Sequence, residues 1–366
     1  MRILKWYVLK EFIPPYLGSM AFFSMLLLLE RVLSFIRLVA AGYASIIDLL
    51  VLVFFSFPPT FALTMPMSTI MGALVSVSRL SHDSEITAMR ASGIRMSSIF
   101  LSLYVAGVLI GGASYYLTDR LVPLGNLKFR TLYQKITIAQ PTVQVDEHSV
   151  SRLTGDVMLM VNEVDEKTGD LIDVTIFEAE KGAYEKTITA GKGRFLTKDT
   201  DAPYIQLRLL NGSILNPRDK TRNEFNATFF QSLDLNIPVE TNEIKNIVKT
   251  PRDMNLREIE QHLQKEEEGS RTSNTYLVEY HKRIAIPFAC VLFVFLGTPF
   301  AVTQGRSGRG LGLGIGILII FFYYLFLLLM ERVGKTGQIP PPIAVWMPNI
   351  VFAVVGIANL VRKGRI

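Results

Sequence analysis

Cysteine is nearly absent from this sequence: Cys290 is the only one in 366 residues. It supports neither a disulfide framework nor a cysteine zinc site. Histidine is also scarce. His82, His148, His262 and His281 fall in different segments and no HExxH occurs, so the metalloprotease pattern is excluded. No GxSxG elbow is present. Gly334-Lys335-Thr336 imitates the tail of a phosphate loop, but Leu329 stands where that loop needs its first glycine. The chain thus offers no catalytic residues, no metal site and no cofactor motif. Ionisable residues are missing from the centres of its apolar runs, whereas carriers driven by ion gradients hold acids or bases at mid-membrane. If the chain does work, a partner supplies the energy.

Apolar sequence is what the chain has in abundance. Apolar residues make up 49% of it, and the mean hydropathy of +0.32 averages two populations: near-continuous apolar runs at both ends and a polar middle. The net charge of +6 comes from basic residues flanking apolar runs, not from a patch interleaved with aromatics. That is the signature of membrane topology and not of nucleic-acid binding. The first run is too long for a signal-peptide core and lacks a small-residue cleavage site, so it reads as an anchor. It follows an amphipathic start (1–11) whose Trp6 and Tyr7 suit the headgroup layer.

Six spans are expected, at about 12–36, 46–77, 99–117, 284–302, 311–330 and 343–361. Pro14 and Pro15 should sit in the opening turn of the first. The second is too long for one straight crossing and should be broken by Pro58, Pro59 and Pro66. The third carries Gly107 and Gly111, a small-xxx-small pair that allows close helix approach. Between spans three and four, period-two alternation appears at 142–145, 157–164, 171–180, 187–196, 204–215 and 223–235, separated by Gly, Asn, Asp and Pro. This predicts antiparallel strands in a sandwich or jellyroll-like domain, followed by a polar helix at about 252–269. The fold class is therefore an α-helical membrane protein with six transmembrane helices plus an all-β, jellyroll-like domain inserted between helices 3 and 4. The divisions are 1–118, 119–275 and 276–366. Basic residues beside the spans cluster at both termini and around 79–95 and 306–309, which puts the termini in the cytoplasm and the β domain outside.

Two polar stretches stand out. The segment 79–97 contains a short predicted helix, 84–93, with Asp83 and Glu85 at its start, Arg90 late and Gly93 at a C-cap. Ile86 and Met89 share one face. The segment reads either as a docking element or as a solvated connector. At the end of span one, Glu30, Ser34 and Arg37 recur on one helical face with Arg31 one position round. They either snorkel to water or face an anionic substrate. LLLLERV (26–32) nearly repeats as LLLMERV (327–333) in span five, so Glu30–Arg332 or Arg31–Glu331 could close a lateral seam. The alternative is two separate interfacial pairs, with Glu331 and Arg332 independent of span one.

SEITAMRASG (84–93), the β insert, and GQIPPPIAVWMPN (337–349) opening span six together resemble the lipopolysaccharide export permeases of Gram-negative bacteria, the LptF/LptG (YjgP/YjgQ) type, with a lean toward LptF from the YLVEYHKR lead-in to span four. The resemblance covers the whole chain. It implies a permease subunit of an ABC exporter in the bacterial inner membrane, paired with a second related permease over a cytoplasmic ATPase dimer (LptB-like). It also implies that lipopolysaccharide passes to a periplasmic bridge through LptA-like and LptC-like jellyroll partners. On this likeness 84–93 is the coupling helix, with Glu85, Ile86, Met89 and Arg90 engaging the ATPase. Spans one and five would line lateral gates, placing Glu30, Arg31, Ser34, Arg37, Glu331 and Arg332 at the lipid path. A membrane-anchored scaffold with a protein-binding β domain is the alternative; an intramembrane hydrolase is more distant because no nucleophile–base pair stands out.

Overall fold

A computed structural model describes residues 2–40, 44–139, 149–154, 157–165, 170–178, 186–196, 204–219, 224–238, 249–267, 269–302 and 310–364. The strand expected at 142–145, and Arg306 and Arg309, lie outside the described residues. The chain divides into two compact units. One comprises Met1–Arg31, Val53–Leu127 and Lys249–Ile366; the other comprises Val32–Leu52 and Lys128–Val248.

The first unit is a helical bundle. Its elements are α1 (Arg2–Ala40), α2 (Ile46–His82), α3 (Glu85–Ala91), α4 (Met96–Tyr116), α5 (Val122–Ala139), α6 (Leu256–Leu263), α7 (Arg271–Ala301), α8 (Gly310–Thr336) and α9 (Pro341–Gly364), with α1, α2 and α5 running on into the second unit. Six helical stretches among the described residues are long and apolar enough to cross a membrane. The window of α7 is 72% buried within the chain, against 17% for α1, so α7 is the centre of the bundle. Glycines set how closely its neighbours approach. A Cβ at Gly107 of α4 would lie 2.9 Å from Val294 of α7, and one at Gly316 of α8 would lie 2.5 Å from Met71 of α2. The small-xxx-small pair read in α4 therefore faces α7.

Two expectations about proline are corrected. Pro14 and Pro15 lie well inside α1, because the amphipathic start and the first span form one continuous 39-residue helix. Pro58, Pro59 and Pro66 do not break α2, which runs unbroken for 37 residues. Each proline still removes a backbone donor. Near them, Thr60 Oγ1 donates to the Ser56 carbonyl at 2.8 Å, and Tyr324 Oη of α8 to that of Leu63 at 2.8 Å. Gly125 packs against the Phe55 carbonyl that Pro59 leaves without its helical donor; a Cβ there would sit 3.0 Å from that oxygen. The third span also extends further than expected. α4 passes through a π-helical turn (Leu117–Leu121) straight into α5.

The second unit holds β1 (Ser149–Thr154), β2 (Val157–Val164), β3 (Leu171–Glu178), β4 (Lys186–Phe195), β5 (Tyr204–Asp219) and β6 (Glu224–Pro238). They form one antiparallel sheet in the order β1-β2-β3-β4-β5-β6, each strand pairing with the next. One face is apolar, built from Leu159, Val161, Leu171, Val174, Ile176, Ile188, Ala190, Leu207, Leu209 and Ile237.

Alternation along the strands slips by one residue at the same place in five successive strands. Asn162, Asp173, Gly191, Asn211 and Gln231 are passed over in the pairing and are all exposed. Across this line the core-facing residues lie three apart instead of two or four, as in Leu171 and Val174 or Leu209 and Gly212. Asp173 and Asn211 take positive φ, 52° and 51°, a conformation that Asn and Asp tolerate better than other residues with a Cβ. The sheet is thus creased across its width without losing its sidedness.

Between sheet and bundle, the stretch expected as one helix at 252–269 forms a 3-10 turn (Pro251–Asp253) and then α6. Extended Met254 separates them, and Asn255 starts α6 with a capping box to Glu258.

Candidate functional site

One end of the bundle is built around α3. Ser84 precedes it at φ 60°. At its other end the Gly93 N–H donates to the Arg90 carbonyl (2.9 Å) and the Ile94 N–H to that of Met89 (3.2 Å), with Gly93 at φ 81°. This is the Schellman arrangement, and it matches the cap read at Gly93. α1 meets α3 and the end of α2 from the side. The Tyr7 hydroxyl donates to Glu85 Oε1 of α3 at 3.0 Å, and Arg79 Nη1 of α2 meets Glu11 Oε2 at 2.6 Å.

The face shared by Ile86 and Met89 turns inward. Ile86 is 3% exposed and joins the bundle core, with Met89, Leu4, Tyr7 and Ile94 packed against that core. The outward face is Thr87, Ala88, Arg90 and Ala91. The magnitudes assign the roles. Arg79 is 57% exposed, and a pair so exposed contributes about 0–1 kcal/mol. Burying an isoleucine contributes roughly 1.5–3 kcal/mol. Ile86 therefore holds α3 to the bundle core, while the Tyr7–Glu85 hydrogen bond sets its orientation toward α1.

The opposite end of the bundle carries charge. Glu331 of α8 accepts from Lys282 of α7 at 3.1 Å and from Lys335 at 2.6 Å, with Arg252 at 3.9 Å; Lys282 also reaches Glu279 at 3.4 Å. Lys282, Lys335 and Arg252 are thus the basic partners of Glu331 among the described residues, and Arg332 is exposed. Glu30 and Ser34 are exposed and Arg31 is half-buried on α1, while the side chain of Arg37 lies outside the described residues.

Beside this cluster Arg283 is almost fully buried, at 2% exposure. It donates to the carbonyls of Thr118, Pro251 and Arg252 at 3.4, 3.1 and 3.2 Å. Thr118 belongs to the π-helical turn, where the change of hydrogen-bond spacing redirects backbone groups. Asp119 of the same turn accepts from the Leu256 N–H at 2.8 Å, at the start of α6. Arg283 and Asp119 thus tie the chain leaving the sheet to the π turn of the third span. No local pattern in the sequence singles out Arg283 or Lys282. Apart from Glu279, three positions before Lys282, their partners lie 31 to 165 positions away, beyond any local pattern.

Six membrane-length helices, an antiparallel sheet carried between the third and fourth, and an ion-paired turn between the second and third define a multi-pass membrane protein. Residues 6–362 match the family described as lipopolysaccharide export system permease LptF/LptG, and the chain belongs to that family. It is accordingly a permease component of the lipopolysaccharide export system, a transport protein and not an enzyme, and it works as part of the Lpt complex. No curated protein matches the chain.

Proposed function

We propose that this permease is the membrane subunit of an ABC-type exporter. In this reading it draws lipopolysaccharide from the inner membrane, with both termini cytoplasmic, and passes it to a periplasmic bridge. A cytoplasmic ATPase dimer docks on α3, and a second related permease completes the pair. The membrane part is the helical bundle, and the outer part is the jellyroll-like domain that holds β1 to β6.

The observation that carries the reading is the clasp between α1 and α3. The ATPase meets the outward face, Thr87, Ala88, Arg90 and Ala91, beside Glu85. Ile86 and Met89 form the inward keel that transmits its motion to α1. Because α1 is one helix from Arg2 to Ala40, a tilt imposed at Tyr7 and Glu11 reaches Glu30, Arg31, Ser34 and Arg37. There cationic side chains suit lipid phosphates. Glu331 and Arg332 serve the facing gate.

The test is purification of tagged protein from native membranes in mild detergent, followed by reconstitution. Ala88→Trp should strip the ATPase from the complex. Tyr7→Phe should keep the ATPase bound and its hydrolysis intact, but lower lipopolysaccharide moved per ATP. Normal ATPase retention by Ala88→Trp would remove α3 as the docking element. A wild-type complex without any ATPase would favour the scaffold reading.

A further inference from the structure

We infer that the sheet carries a saccharide-binding groove along its crease, on the face opposite the apolar cluster. The groove is open to solvent, with a volume of about 570 Å³; Asp173, Thr175, Thr189, Asn211, Ser213 and Phe229 line it, together with Val174, Ala190 and Phe230 from the strand positions that belong to the apolar side. Thr175, Thr189, Ser213 and Phe229 are directly paired across β3, β4, β5 and β6, so their side chains share one face. Thr189 and Ser213 confirm this by hydrogen-bonding to each other at 3.0 Å. Phe229 is 81% exposed, the most exposed phenylalanine side chain among the described residues.

The crease itself accounts for Asp173 and Asn211, because positive φ favours those residue types. It does not require a row of hydroxyls or an uncovered aromatic ring beside them. The chemistry of the lining selects the ligand class. A carboxylate, an amide and three hydroxyls offer paired donors and acceptors to vicinal diols, and the Phe229 ring offers a flat apolar surface to the C–H face of a pyranose. The lining contains no Lys or Arg, so it is a poor phosphate site. The lining spans β3 to β6, the last strand in the sheet order, so a peptide occupant is separated from a saccharide by the test below.

This inference rests on the permease reading and deepens it. The creased polar face takes the sugar part of the molecule that the permease moves. The probe is lipopolysaccharide oligosaccharide stripped of acyl chains and phosphate, titrated against the full-length protein in detergent by calorimetry or saturation-transfer NMR. Wild type should bind it. Phe229→Ala, and Asp173→Asn, which keeps a residue tolerant of positive φ, should each weaken binding about tenfold. Leu210→Ala, exposed on the far side of the crease, should leave it unchanged.

Equal affinity in wild type and Phe229→Ala overturns the inference. So does failure of the probe to bind while intact lipopolysaccharide still binds wild type, an outcome that leaves the permease reading standing. If intact lipopolysaccharide does not bind either, the permease reading falls with it. Unchanged probe affinity together with loss of a co-purifying protein from Phe229→Ala would make this face a protein contact and also overturn the inference.

Discussion

Glu258 sits at the point where the chain re-enters the bundle from the sheet, and both its carboxylate oxygens are engaged. Oε1 accepts from Lys249 at 2.5 Å and Oε2 from the Asn255 N–H at 2.9 Å. Burial pushes its pKa up, but the Lys249 hydrogen bond, the Asn255 N–H and the nearby positive charges outweigh burial and hold it below the usual carboxylate range. A depressed folded pKa contributes stability that is present above the unfolded value and is lost as pH falls through the folded one. Glu258→Gln should therefore lower the Tm of the detergent-solubilised protein at pH 7, with the gap narrowing as pH drops below about 4. Thermal denaturation across that range checks it; a gap that stays constant with pH would show that the carboxylate charge is not what matters.

Among the elements, the creased sheet has the most specific sequence demand. Asn211 at φ 51° is its clearest case. Asn211→Val should destabilise the protein by roughly 1–3 kcal/mol, because a β-branched residue resists that conformation, while Asn211→Gly should be close to neutral. Denaturation of the two variants side by side decides it; equal losses would mean that the Asn211 side chain matters more than its backbone. The crease also marks how far the sequence could be read. Period-two alternation located five of the six described strands, β2 to β6, but a line of slipped residues across them requires the register, which only pairing reveals. The same limit held at α3. Spacing put Ile86 and Met89 on one face and Gly93 at a cap, but an apolar face looks alike whether it meets a partner or its own bundle. The structure resolved the ambiguity by packing Ile86 into the bundle core. The six spans were legible as long apolar runs. Their true ends were not, because α5 continues on Asn126, Lys128 and Arg130, whose polarity hides a helix from a hydropathy reading.

Taken whole, the molecule joins contributions from distant parts of the sequence. The bundle centre, α7, begins only at Arg271, yet α2 and α4 pack against it: Gly297 faces Ala73, and Gly107 faces Val294. α1 and α2 can meet without it, through Phe12 at Gly72 and the Ser24–Thr64 hydroxyl contact at 3.0 Å. The sheet needs nothing from α7 either, since each strand pairs with its neighbour in sequence, the local wiring that folds early. The centre of the bundle is thus made after most of what surrounds it. On a ribosome the order of events follows: helices α1 and α2 join as a hairpin and the sheet forms, while the inner face of α4 waits in lipid for a partner not yet synthesised. A chain halted near residue 250 should show the sheet as protease-resistant as in the full-length protein, while cysteines placed on the inner face of α4 remain open to a membrane-permeant thiol reagent. Their protection in the halted chain would mean that α4 finds another partner first. Biogenesis is then most exposed to failure in the interval between the end of β6 and the emergence of α7, when a membrane-integrated chain still lacks the helix that closes it.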